Sequence, residues 1–455
     1  MMSDENVVLI TIDSLRTDHI GVYGYHKETT PNLDRFAEES VIFSNAFTNG
    51  AHTAISFPSI LTSAYGSMYG GYGYLSTERL SIAEWISKQG YTTAAFHSNP
   101  YLSSTYNYDK YFDVFYDSLF SKASSLSFKI LIKLVELAQE NKIIRNIIPY
   151  ILKILRCFKP YKLPYEDAQQ ITQKVIRWLE KRDKKFFLWV HYMDTHWPWL
   201  SHQSLSSEKI NSKDAYNIWW KMLIDPSAIT NEELTNITDL YDGEIKYLDH
   251  VLGNLFNNLK KMDIYDNSII IVTSDHGEEL GDHGDIGHHN AKLYEEIIHI
   301  PLMIRFSRKK NSGKKIDNLV SLLDIAPTVA DFLGSKIPDE WMGNNLIPIL
   351  TNDTNEASNG VISEGKIKRG LNTLSYRSKK WKYIFNEANN KHELYAIIHD
   401  PKEKQNLSAL KPNVVQKFRT IIYEHLKNTG NPISISYLKN DERLLERLKA
   451  LGYME

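Results

Sequence analysis

Asp275 and His276 stand side by side where an apolar run at residues 269–272 stops and a polar cluster begins. A carboxylate oxygen next to an imidazole nitrogen can hold a divalent ion, and the pairing suits zinc, manganese or a mixed site. The cluster continues through Glu278, Glu279, Asp282 and His283. A second carboxylate, Asp13, ends another apolar run at residues 7–12 and is followed by Ser14, Arg16, Asp18 and His19. If both runs are strands of one sheet, their terminal carboxylates converge and repel unless a cation lies between them. Repetition of the pattern favours a site over a solvated loop. A third run, residues 186–190, ends in His191-Tyr192-Met193-Asp194-Thr195-His196-Trp197-Pro198, another strand end carrying reactive groups. Trp197 and Trp199 suit either a pocket wall or the core.

A nucleophile for such a site would be a hydroxyl. Residues 49–59 read NGAHTAISFPS and precede the apolar Ile60-Leu61, a loop entering a helix. Thr53 and Ser56 lie there. A helix start offers unpaired N–H groups and a positive dipole end to an anionic ester, although either hydroxyl could equally serve as a helix cap.

The elements that must position these groups are legible from periodicity. Apolar runs of β-branched residues without alternation read as strands covered on both faces, and they alternate with helical patterns at residues 80–89, 166–181 and 237–262. That order predicts an α/β fold with a central mixed, mostly parallel sheet flanked by helices. Ligands of such sheets bind beyond the carboxyl ends of the strands. From about residue 360, short strand-like runs alternate with turns, predicting a smaller antiparallel sheet. The expected organisation is a catalytic α/β domain at 1–359, with a helical insertion at about 120–165, and a carboxy-terminal α+β domain at 360–455. Within the insertion, residues 127–160 are basic and amphipathic. Such a hairpin can lie on a membrane surface, cover an active-site mouth or pack its apolar face on the main domain.

Composition narrows the class. The chain has 455 residues, 42% hydrophobic and 24% charged, with net charge −2. Near-neutral charge gives no support for nucleic-acid binding. One cysteine, Cys157, excludes an intramolecular disulfide and a cysteine-built zinc site. The amino terminus is acidic where a signal peptide is basic, and no apolar stretch reaches the ~18 residues of a membrane span. A cytoplasmic location is therefore expected, and oligomeric state is left open.

These residues together resemble the sulfatase family of the alkaline phosphatase superfamily. Residues 7–16 (VVLITIDSLR), Thr30-Pro31-Asn32-Leu33-Asp34, Leu293-Tyr294-Glu295-Glu296 with Pro301-Leu302, Asp324-Ile325-Ala326-Pro327-Thr328, Glu393-Leu394-Tyr395 with Asp400-Pro401, and the terminal Leu448-Lys449-Ala450-Leu451-Gly452-Tyr453 match family landmarks in order. The resemblance implies an alkaline-phosphatase-like sandwich and one divalent ion, calcium or else manganese or zinc, with a second ion left open. By position, Asp13, Asp275 and His276 match ion ligands. Ser14 stands where the family often has a second Asp. His196 matches a histidine near the leaving group, and His288 or His289 falls near a Lys that contacts the anion. His97 and Asn99 are the nearest counterparts of a Lys and His that follow the strand at 91–96. Glu278 and Glu279 read as solvated or structural, with His283 a secondary candidate.

The nucleophile position departs from the family pattern, in which a Cys or Ser is followed by x-Pro-x-Arg. Anchoring on Leu61-Thr62-Ser63 places Thr53 at the nucleophile and Phe57 at the Arg. Anchoring on Ser56-Phe57-Pro58 makes Ser56 the nucleophile after a three-residue deletion, with Ile60 at the Arg. The family Cys or Ser is oxidised to formylglycine, whose hydrate expels sulfate by collapsing to the aldehyde. A Thr alkoxide lacks that exit, so water must cleave its ester at the central atom, which phosphoryl and phosphonyl groups allow. The expected activity is hydrolysis of a sulfate, phosphate or phosphonate ester by Thr53, with His196 protonating the leaving oxygen. The alternatives are a phospho-group transferase or phosphodiesterase acting on a lipid or glycan, and a non-catalytic binder of anionic glycans.

Overall fold

In the computed structural model, the described residues are 5–118, 165–182, 184–199, 202, 205, 210, 212–224, 228–288, 292–350, 358–365 and 372–429. The central insertion, its 127–160 hairpin, Cys157, His289 and the terminal landmark at 448–453 fall outside them.

The strands in chain order are β1 (Asn6–Ile12), β2 (Val41–Phe47), β3 (Thr92–Phe96), β4 (Val114–Tyr116), β5 (Phe186–Tyr192), β6 (Ser268–Ser274), β7 (Glu279–Leu280), β8 (Ile286–Gly287), β9 (His299–Arg305), β10 (Lys315–Ser321), β11 (Val361–Glu364), β12 (Thr373–Arg377), β13 (Lys382–Asn386) and β14 (Lys391–Tyr395). Eight of them form the main sheet in the order β10-β2-β9-β6-β1-β5-β3-β4. Its pairings are parallel except those of β9, which runs against both β2 and β6. The expected mixed, mostly parallel α/β sandwich is what the chain forms.

Unbroken apolar runs place side chains on both faces of this sheet, and both are covered. Val8, Ile10 and Ile12 join Leu188, Val190, Ile270 and Val272 with residues of the helices Ala168–Leu179 and Asn231–Lys261. Val7 and Leu9 join Phe187, Trp189, Ile269 and Ile271 with residues of α2 (Thr53–Thr62) and the helix Ile325–Phe332. Each such side chain contributes about 1.5–3 kcal/mol of burial. Register then fixes the site. Ile12 pairs with Ser274 on one side and Tyr192 on the other, so β1, β5 and β6 end at the same level.

The second sheet, β11-β12-β13-β14, is antiparallel and carries the helix Pro412–Thr429, whose Phe418 and Ile422 pack on Leu374, Tyr383 and Leu394. It grips the main sheet at two points beside the strand ends. Ala51 N–H donates to the Glu364 carbonyl at 3.0 Å, and the buried Glu364 carboxylate accepts from Ser67 N–H at 3.0 Å and lies 2.8 Å from His425 Nε2. Elsewhere, Glu295 accepts from Arg377 Nε at 3.0 Å and lies 3.3 Å from Lys382 Nζ. Burial alone would raise the Glu295 carboxyl, but these two cations hold it at about 2. Its folded pKa lies below the ordinary 4.5, so its contribution is present above that pH and lost as pH falls toward 2. Glu295→Gln is expected to flatten the acid limb of stability measured by urea unfolding between about pH 5 and pH 2. A wild-type slope would show that the contact carries no stability.

Candidate active site

Asp13 follows β1, Asp275 and His276 follow β6, His191 lies near the end of β5, and Thr53 opens α2. All five are fully buried. Serine and threonine hydroxyls bind the strand ends together: Ser274 Oγ donates to Ile12 O at 2.7 Å and receives Leu15 N–H at 3.0 Å, while the Thr195 hydroxyl donates to Asp13 O.

Thr53 Oγ1 lies 3.4 Å from both Asp13 Oδ2 and His276 Nε2. Thr53 is the first residue of α2, and its N-cap His52 makes no side-chain capping bond. The loop before it passes so close to α2 that a Cβ at Gly50 would collide with the Ser56 and Ile55 backbone. Ser56, the alternative nucleophile, turns its hydroxyl back to Thr53 O at 3.2 Å, as a helix-backbone bond.

His276 Nδ1 lies 2.7 Å from Gly277 O and therefore carries the proton, leaving Nε2 to face Asp275 Oδ2 at 3.5 Å and Asp13 Oδ1 at 3.8 Å. Gly277 explains why His276 is followed by glycine: a Cβ there would strike the Glu296 carbonyl. His196 Nδ1 lies 2.6 Å from Trp197 O, and its ring centroid is 5.0 Å from that of His288. The His288 ring lies 4.5 Å from that of His276. Thus Asp13, Thr53, His196, Asp275, His276 and His288 come together.

Several other groups fall differently. Glu278 is not solvated: it is fully buried, and its carboxylate lies 2.8 Å from His288 Nδ1. His283 stacks on Tyr294 at 3.6 Å and pairs with Glu296 at 2.5 Å, outside the cluster. Trp197 and Trp199 belong to the apolar core. His97 packs on Trp189 and Phe115, whereas Asn99 Nδ2 donates to Asp13 Oδ2 at 2.9 Å. His191 was not singled out by sequence reasoning. Its Nε2 lies 3.3 Å from Asp13 Oδ2, and the only available signal was its place at the end of a third apolar run.

The electrostatics are those of a cation site. Burial would raise Asp13, but His196, His191 and His276 outweigh it and hold the carboxyl below its usual range. Burial and the charge of Asp13 push Asp275 up. Burial lowers His276 and His196, which favours neutral rings with lone pairs. The buried atoms His191 Nε2 and Asp275 Oδ2 make no hydrogen bond among the described residues. Orphaned oxygen and nitrogen acceptors pointing at one another fit a divalent ion. Among the described residues, Asp13, His191 and Asp275 form one set whose ligand atoms all lie within 4.8 Å of one another.

Asp13, His191, Asp275 and His276 thus lie buried where three neighbouring parallel strands of the mixed sheet end. Residues 5–335 match the family model described as Sulfatase, and residues 281–429 match that of the N-sulphoglucosamine sulphohydrolase carboxy-terminal region. The chain belongs to the sulfatase family, with relatives named as sulfatases, which are sulfuric ester hydrolases. It is 26% identical to an arylsulfatase of Clostridium perfringens over 88% of this chain and 90% of that protein. It is 22% identical to an N-acetylglucosamine-6-O-sulfatase of Bacteroides thetaiotaomicron over 97% of this chain and 90% of that one. The fold matches a phosphonate monoester hydrolase of Agrobacterium radiobacter with TM-score 0.72 and 20% identity, covering 96% of this chain and 98% of that one. Among the described residues, no helix is long and apolar enough to cross a membrane.

Proposed function

We propose that the chain hydrolyses phosphate or phosphonate esters through a covalent intermediate on Thr53. The observation that carries this is the Thr53 hydroxyl at a helix start, 3.4 Å from two acceptors, Asp13 Oδ2 and His276 Nε2. A divalent ion held by Asp13, Asp275 and His276 would lower the hydroxyl pKa and neutralise charge on the ester oxygens. As the ester binds, the Thr53 hydroxyl proton passes to Nε2 of His196, whose Nδ1 is held by Trp197 O; Thr53 Oγ1 bonds to phosphorus as the ester P–O bond breaks, and His196 gives that proton to the departing oxygen. Water then attacks phosphorus, the Thr53–phosphorus ester breaks, and His196 takes the proton of that water and returns it to Thr53 Oγ1. His288, braced by Glu278 and lying beside the His276 and His196 rings, would contact the anion.

Threonine cannot be converted to an aldehyde hydrate, which favours phosphorus over sulfur. A second reading, hydrolysis of sulfated sugars, is supported by the relative named for N-acetylglucosamine-6-O-sulfate. Initial rates on aryl sulfates, sulfated glucosamine, phosphate mono- and diesters and phosphonate monoesters separate the two. Mass spectrometry after a substrate quench should find one phospho-group on the peptide containing Thr53. An unmodified peptide under conditions of steady turnover, or turnover of sulfates alone, would sink the proposal.

A further inference from the structure

We propose that His191 is itself a ligand of the ion held by Asp13 and Asp275, supplying nitrogen where the family often places a second carboxylate. This rests on reading those two carboxylates as ion ligands. His191 belongs to β5, with Thr11 of β1 as its register partner, so its ring rises between two strands that both end at the site. It is fully buried.

Its tautomer follows from its neighbours. Thr11 Oγ1 receives Trp189 Nε1–H at 3.0 Å and points its own proton at Val190 O, 3.3 Å away. His191 Nδ1 lies 3.0 Å from the same hydroxyl oxygen, and with Nδ1 donating to it the Nε2 lone pair is free for an ion. That lone pair faces Asp13 Oδ2 at 3.3 Å without a hydrogen bond, and Asp275 Oδ2 is likewise unbonded among the described residues. A cation between them would satisfy all three acceptors at once in this dry pocket. The Phe57 ring meets the imidazole edge-on at 5.0 Å and helps to hold its plane.

Ser14 does not replace the missing carboxylate as a ligand. With φ of 58°, it sends Oγ to Asp13 Oδ1 at 2.9 Å and N–H to Asp275 Oδ1 at 3.2 Å. It braces both carboxylates, and the open coordination position falls to His191. A donor set of two carboxylates plus imidazole nitrogen favours zinc or manganese over calcium, which prefers an all-oxygen shell.

The test is cobalt(II) binding to the full chain stripped of metal, followed by visible absorption and titration, with zinc competition and elemental analysis. For His191→Asn, cobalt affinity should fall by more than about 100-fold and the ligand-field bands should shift, whereas an outer-shell change such as Thr11→Val should cost about 10-fold to 100-fold. Unchanged bands in His191→Asn, whatever the affinity, would show that His191 only positions Asp13 and would overturn the proposal. If His191→Asn fails to fold, the wild-type protein loaded with cobalt carries the test through its proton NMR spectrum. A hyperfine-shifted imidazole N–H with the slow exchange of a buried group, perturbed by Thr11→Val, supports ligation; a signal indifferent to Thr11→Val overturns it. Failure of the underlying reading looks different: wild type and Asp13→Asn would then bind cobalt equally or not at all.

Discussion

Thr53→Ala should lower kcat/KM by about four orders of magnitude or more, the scale seen when a nucleophile is removed from an otherwise intact site. Its thermal stability should stay close to that of wild type. Thr53 is the first residue of α2, where Ala is a good helix former, and its hydroxyl lies against the site groups Asp13 and His276. A loss of activity is then chemical and not a consequence of unfolding. Thr53→Ser keeps a hydroxyl at the same position and should retain much of the rate. Ser56→Ala removes only a bond to the Thr53 carbonyl and should stay within about tenfold of wild type, since a local side-chain bond is worth about 1 kcal/mol. Steady-state kinetics on the best ester of the panel, with melting curves beside them, measures all three. Near-normal turnover by Thr53→Ala, or collapse in Ser56→Ala alone, would move the nucleophile elsewhere.

The contrast between these two hydroxyls shows where sequence reasoning stops. Both precede an apolar helix, and only the three-dimensional turn of the chain decides which faces the carboxylates. The strands that deliver Asp13 and Asp275 were legible because central strands, buried on both faces, are written as unbroken β-branched runs. β2 and β10 were not. β2 carries Ser44 and Asn45 mid-strand, where its pairing with β9 slips register, and edge strand β10 starts with the alternately exposed Lys315-Ile316-Asp317-Asn318. His191 escaped for a related reason: inside an apolar run, a histidine reads as a satisfied core residue until register shows what lies beside it. Of the two readings open for Glu278, solvated or structural, the structure takes the second. Here the return of β8 buries it against His288.

Asp13→Asn should abolish ion binding, cut turnover severely and remove the response of stability to a chelator. Asp13 is the carboxylate around which the cluster gathers: it meets Thr53, His191, His276 and Asn99 within 3.8 Å. Without a cation, its charge repels Asp275, whose carboxyl is pushed up by burial and by that charge. The metal-free wild-type protein therefore carries an unfavourable pair that Asn at this position relieves. Stripping the ion should lower the wild-type melting temperature, because an ion at about a hundredfold excess over its Kd stabilises by about 2.7 kcal/mol. The same treatment should leave Asp13→Asn unchanged, with a melting temperature at or above that of the stripped wild type. The rate should fall by about three orders of magnitude or more, since nothing then lowers the Thr53 hydroxyl pKa. Differential scanning calorimetry with and without chelator, read beside metal content, checks the pair of signs. A variant that still loses stability on chelation would place the ion away from Asp13 and separate the cation from the nucleophile.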